Sequence, residues 1–204
     1  MVTPAHVANF VSIVVGLALA DMAHSLHRLL RAGRRVRWDF LTPMTALLVT
    51  ASVVNVWWTA DLVFGKALTL AAFLPNLASL AALFLLASAT LPDEVPAGGL
   101  SLRNYYLDNR RYFWGLFILW VLALVINEAM TSAAQGRKGD EILRAVAPNL
   151  PFLPLFGLLM WIRRPWFHTV TLAFCLVVVV GSWMFNPMNA ARAAGAPVAA
   201  PAKP

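Results

Sequence analysis

Ala20-Asp21-Met22-Ala23-His24-Ser25-Leu26-His27-Arg28 is the stretch on which the reading of this chain turns. It closes an uncharged hydrophobic run that begins near His6. It opens directly into the most basic loop of the chain, with Arg28, Arg31, Arg34, Arg35 and Arg37. Apolar runs of about 18 residues or more match a hydrocarbon core roughly 30 Å thick. Arginines at the end of such a run hold that end on the cytoplasmic side. The stretch therefore predicts a membrane helix over about 6–30 whose inner end is set by its arginines.

The remaining composition repeats this pattern. The 204 residues are 60% hydrophobic and only 12% charged, against roughly 25% charged in soluble domains. The formal net charge of +7 comes from arginines at the ends of apolar runs. Topology and anionic headgroups account for that placement, so anionic lipid on the cytoplasmic face is the expected partner and nucleic acid is not. Cys175 is the single cysteine; it falls in mid-span, where a buried inert thiol is expected. Ala18-Leu19-Ala20 has the small-x-small form of a cleavage site, but no Lys or Arg stands in the first ten residues. The segment is accordingly read as a retained helix rather than a signal peptide.

Taken in order, the hydrophobic runs predict an all-α integral membrane protein with a six-helix transmembrane bundle. The spans are expected over about 6–30, 40–63, 67–91, 112–133, 142–162 and 166–185. Together they form one membrane domain, 1–189, followed by an Ala/Pro-rich tail, 190–204, expected to be disordered. Ser101 is placed as a helix N-cap, and Leu102 to Arg111 reads as an amphipathic lead-in to the fourth span. Pro148, Pro151 and Pro154 interrupt the fifth.

Ten basic residues fall on one side: the five of the first loop, Arg103, Arg110, Arg111, Arg163 and Arg164. Six fall on the other: Lys66, Arg137, Lys138, Arg144, Arg192 and Lys203. The first group belongs in the cytoplasm and both termini outside. Trp38, Trp114, Trp161 and Trp166 near the inner boundary, with Trp57, Trp58 and Trp183 near the outer one, read as aromatic belts. Short loops and abundant Ala and Arg suit a bacterial inner membrane.

Fragments recur along the chain. Arg34-Arg35, Arg110-Arg111 and Arg163-Arg164 each precede an aromatic-rich helix start. Pro75-Asn76-Leu77 returns as Pro148-Asn149-Leu150, and Val53-Val54-Asn55 as Val125-Ile126-Asn127. These fit three parallel helical hairpins, although similar Leu/Ala/Val-rich helices resemble one another without a true repeat.

Asp21, His24 and Arg28 share a helix face by their spacing of three and four, with Arg31 extending it and His27 at its edge. Asp21 stands about 10 Å of helical rise outward of Arg28. An acid at that depth is costly in lipid and calls for a partner. Three readings compete: a helix-end network, a proton or ion relay through Asp21, His24 and His27, and a metal site. One helix cannot complete a coordination shell, so the metal reading needs another element, and His168 starts at the same side. Asn76 and Asn149 follow prolines whose helix breaks line a cavity or cap a kink. Glu128 belongs at the outer interface beside Asn127.

No HExxH, CxxC, Gly-x-Ser-x-Gly or phosphate loop occurs. No catalytic residue and no cofactor, haem included, is expected. The leading expectation is a transporter- or channel-like protein handling protons or a small cation or solute, as a homo-oligomer. The alternatives are a scaffold or accessory subunit binding anionic lipid or a cytoplasmic partner through its arginines, and a metal-dependent intramembrane enzyme.

Overall fold

The computed structural model describes the backbone over residues 4–64 and 70–185, and side chains over 9–59 and 73–182. The tail 190–204 and the side chains of His6, Asp61, Lys66, Trp183, Arg192 and Lys203 lie outside the described residues.

Helix α1 (Pro4–Ala32) ends in a 3-10 turn (Gly33–Arg35) and a two-residue strand β1 (Val36–Arg37). Helix α2 (Leu41–Phe64) begins where Asp39 Oδ1 accepts the Leu41 N–H at 3.1 Å. Such a contact satisfies one of the amides that a helix start leaves unpaired. Helix α3 (Leu70–Thr90) carries Pro75 in its interior. Strand β2 (Leu100–Ser101) leads into α4 (Leu102–Ala134), whose N-cap Ser101 accepts the Asn104 N–H at 3.5 Å. The cap is as expected, and the lead-in continues into the fourth span as one uninterrupted helix. Its 33 residues extend about 50 Å, more than a hydrocarbon core requires.

The expected fifth span, 142–162, is not one helix. It is α5 (Gly139–Val146) and α6 (Phe152–Trp161), separated by turns over 147–151. Pro148 and Pro151 each lack a donor and clash with the preceding turn, whereas Pro154 falls in the first turn of α6, where proline is tolerated. Helix α7 (Pro165–Phe185) closes the described chain. Five helices, α1, α2, α3, α4 and α7, are long and apolar enough to cross a membrane. The architecture is all-helical and that of a multi-pass membrane protein.

Helix α1 packs on α2 and α3, α3 on α4, α2 on α7, and both α5 and α6 on α4. The core-facing residues of α1 are Val11, Val15, Ala18, Met22, Ser25 and Leu29, the alternating spacing of four and three that defines one helix face. An aromatic stack holds α6 to α4: Trp114 lies 5.0 Å from Phe156 and 5.1 Å from Phe117 between ring centroids. Trp114 is thus wholly buried and is not part of an interfacial belt. Its place in the expected belt followed from depth alone, which does not distinguish the faces of a helix. Trp38, Trp57, Trp58, Trp161 and Trp166 are exposed, as belt residues should be. Hydroxyls on α2 and α3 bond back to the preceding turn, as Thr45 does to Leu41 O at 2.8 Å and Thr90 to Leu86 O at 2.6 Å. This satisfies them without a partner helix.

The three arginine-bearing connections gather at one end of the bundle. Strands β1 and β2 pair in parallel, Val36 with Leu100 and Arg37 with Ser101. Beneath them Leu29, Val36, Leu91 and Leu102 form a small apolar cluster. Ser25 Oγ donates to Asp93 Oδ1 at 3.0 Å, Arg28 Nη1 to Asp93 O at 2.8 Å, and Thr42 Oγ1 to Leu102 O at 2.9 Å. Gly99, at φ +89°, is required here, because a Cβ would stand 3.0 Å from the Arg35 carbonyl oxygen. The third connection joins the same end through the Arg111 guanidinium, 5.2 Å above the Trp161 ring.

Candidate functional site

A cleft of about 260 Å³ opens between α2, α4, α6 and α7, from mid-span toward the end away from the arginines. Its floor is aromatic and apolar, with Phe117, Phe152 and Phe156 beside Cys175. Polar groups enter from three directions: Ser52, Asn55 and Thr59 from α2, Asn149 from the break between α5 and α6, and Ser182 from α7. Among the described residues, none that lines it is charged. Largely apolar walls with a few convergent polar groups are the usual make-up of a small-molecule site.

Local sequence builds this arrangement. Ser52, Asn55 and Thr59 recur at three and four on α2 and so project along one face. The Ser52 and Thr59 hydroxyls donate to Leu48 O and Asn55 O, leaving oxygen lone pairs as acceptors. At the break, the Asn149 N–H donates to Val146 O at 3.0 Å and the Phe152 N–H to Asn149 O at 3.3 Å. Turn-type bonds thereby replace the helix bonds that Pro148 and Pro151 remove. Irregular backbone at membrane depth is tolerated where protein or a cavity surrounds it, and here it borders the cleft. Trp120 also lines the cleft, and its buried indole N–H has no partner among the described residues.

A second buried polar group lies at the basic end. His168, fully buried on α7, places Nδ1 2.9 Å from the Tyr106 hydroxyl and Nε2 2.9 Å from Ile162 O. A carbonyl only accepts, so Nε2 carries a hydrogen. Nδ1 then takes the phenolic O–H, the pattern of a neutral imidazole. The pair ties α4, α7 and the connection after α6 together. Arg110, one turn beyond Tyr106 and 5% exposed, donates to Leu107 O at 2.6 Å and leaves its Nε without a partner.

The residues singled out from sequence are dispersed. Asp21 is half-buried, and His24, His27, Arg28 and Arg31 are exposed. No hydrogen bond or ion pair links Asp21, His24 and His27. Arg28 turns instead to the Asp93 carbonyl. His168 sits in the core with Tyr106, not with them. Among the described residues no group of three or more His, Cys, Asp or Glu is placed to hold a metal ion within one chain. Arg34, Arg35, Arg37, Arg111, Arg163 and Arg164 are exposed at the basic end, whereas Arg110 is covered. Glu128 Oε1 accepts the Ser132 hydroxyl at 3.3 Å, and Arg137 Nη1 donates to the same Ser132 oxygen at 3.3 Å, a helix-end network. Asn76 Nδ2 donates to Asn127 Oδ1 at 2.9 Å, pinning α3 to α4 just after Pro75. Asn149, by contrast, lines the cleft.

Sequence reasoning picked out Asn55 among the outer polar residues but not the α2 stripe it belongs to, nor Ser182, Trp120 or the Tyr106–His168 pair. The stripe carried a signal in its three-and-four spacing. The pair, 62 residues apart, carried none. No protein-family model, curated protein or solved structure gives a significant match to this chain, so function is argued from these sites.

Proposed function

We propose that the protein handles a small uncharged solute in the cleft between α2, α4, α6 and α7, as a transporter- or channel-like protein of a bacterial inner membrane. The observation that supports this reading is the cleft itself, without a charged group among the described residues that line it and bordered by the broken backbone at Asn149. Apolar walls with a few amide and hydroxyl groups suit a molecule with hydrogen-bonding groups on a compact apolar frame. In this reading α5 and α6 together make a broken sixth crossing. The arginine-bearing end faces the cytoplasm among anionic headgroups, and both termini lie outside.

A partner-binding role finds support in a different place. An open groove of about 540 Å³ between Arg28, Arg31 and Arg35 on one side and Asp93 and Glu94 on the other presents both signs of charge. It suits a cytoplasmic polypeptide better than a purely anionic surface.

Osmotic swelling of proteoliposomes in a panel of uncharged solutes, including glycerol, urea and small sugars, tests the solute reading. At least one solute is expected to enter faster than into protein-free liposomes. Ser52→Leu, which fills the cleft, should abolish the difference without reducing the inserted protein. Equal entry for every solute would overturn the reading.

A further inference from the structure

The core-facing side of α4 at the basic end runs Leu102, Tyr106, Arg110 and Trp114, at a spacing of four, and each of these residues is buried. Three of them suit an interior. A guanidinium does not, because a charge taken out of water needs a partner. Arg110 is 5% exposed, and its Nη1 donates to Leu107 O at 2.6 Å. The other edge of the group, Nε with Nη2, meets no acceptor among the described residues. No carboxylate pairs with it there either, since the ion pair among the described residues joins Arg144 to Asp140 on α5. Of the nearby charges, Arg163 and Arg111 share its sign and Asp108 opposes them. Arg163 stands in the connection just before α7, whose first turn is held to α4 by the bond between His168 and Tyr106. Arg111 lies over Trp161, whose exposed ring places this level at the interface. An enclosed cation with like charges beside it and two unused donors lacks an anion.

We infer that Arg110, Arg111 and Arg163 form a binding site for one phosphate group, monoester or diester, at headgroup depth. The Nε and Nη2 edge of a guanidinium presents two parallel N–H donors that match two oxygens of a phosphate. Nη1, fixed on Leu107 O, holds that edge in place. Arg163 and Arg111 add positive charge that the single nearby acid, Asp108, does not balance. The N-terminus of α7, opened by Pro165, brings the positive end of a long helix to the same connection. Basic pockets between membrane helices on the cytoplasmic side are suited to phosphate-bearing headgroups. A lipid phosphodiester and a free phosphate share this chemistry. The lipid as source rests on the reading that the arginine-bearing end lies among headgroups. The site stands apart from the solute cleft, which shares no residue with it.

The test uses the full chain in mild detergent, stripped of lipid. It is titrated with phosphatidylglycerol, with diacylglycerol of the same acyl chains as the phosphate-free control, and with inorganic phosphate. Native mass spectrometry reads what is bound, and the thermal unfolding midpoint reads affinity. The expected result is saturable binding of one phosphate group per chain and no such binding of diacylglycerol. Phosphatidylglycerol that inorganic phosphate does not displace identifies a lipid headgroup as the ligand; binding of inorganic phosphate, alone or in place of the lipid, identifies a free phosphate. Affinity should fall about tenfold in Arg110→Lys, which keeps the charge but loses the two-donor edge. It should fall roughly fivefold in Arg163→Gln, an exposed position whose change leaves the core intact. Arg34→Gln, at another connection, should leave it unchanged. Binding of neither phosphate probe, or equal binding of diacylglycerol, overturns the site. Full affinity in Arg163→Gln overturns it too, whether or not Arg110→Lys folds, as does full affinity in a folded Arg110→Lys. A loss in Arg34→Gln as large as that in Arg163→Gln would reduce the site to a general basic surface and overturn it as well.

Discussion

Helices α1 and α7 both turn a long face outward, and the two faces differ. On α7 the exposed residues include Trp166, Val170, Phe174, Val177, Val178 and Val180, with Val177 71% exposed. Apart from the ring at its interfacial end, this surface asks nothing of its surroundings but hydrocarbon. On α1 the outward face begins alike, with Ile13 and Leu17, and then changes to His24, His27 and Arg31. Both faces are exposed in the isolated chain. The chemistry of the exposed groups separates a wholly apolar face from one that turns polar toward the basic end. Histidine makes the contrast sharper still. His168 is wholly enclosed with both ring nitrogens bonded, while His24 and His27 are exposed.

Substitutions that break or sharpen this contrast fall in a clear order. Trp114→Ala removes the ring that holds α6 to α4 and should cost about 3–5 kcal/mol. Thermal unfolding in detergent reads this as a large fall in midpoint, and an unchanged midpoint would contradict the packing. Val177→Asp puts a charge on the α7 lipid face, at an expected cost near 2.5–3.5 kcal/mol of insertion. The membrane-inserted fraction should drop, and wild-type insertion would mean that protein or water covers this face. Tyr106→Phe deprives buried His168 of its donor at Nδ1 and should cost about 1–3 kcal/mol. The same midpoint measures it, and a stabilised variant would show that the hydroxyl is not bonded there. His24→Leu/His27→Leu should change the stability of the single chain least, by about 0.5 kcal/mol or less. Both side chains are exposed within it. A large loss of monomer stability would place the two histidines inside the bundle after all.

Much of the architecture was legible because its causes are local. Length and hydropathy mark the long helices, arginines mark one end, Ser101 marks the start of α4, and the prolines at 148, 151 and 154 mark a weak point. They did not show how far that weakness goes. The second half of the interrupted segment forms the separate helix α6, whose Phe156 packs against Trp114 and Phe117 and whose Leu159 is buried in the same core. The candidate sites were less legible. A three-and-four spacing shows that Asp21, His24 and Arg28 share a face but not which way it points. Direction is set by the neighbours, here by Val11, Val15, Ala18 and Met22 turning inward. Asn76 and Asn149 follow prolines in near-identical strings, yet one bonds Asn127 across a helix pair and the other borders a cleft.

By itself, then, the chain's sequence determined that it lives in a membrane as a helical protein with its arginines at one end. Burying apolar length and keeping charge in water are properties of segments, and they act before any helix meets another. Only the tertiary structure decided which polar groups are enclosed and which are turned outward. His168 meets Tyr106, Ser25 meets Asp93, and the α2 stripe opens onto a cleft, because helices far apart in sequence pack side by side. Those meetings depend on the rotation of each helix about its own axis, which hydropathy along a single segment does not encode.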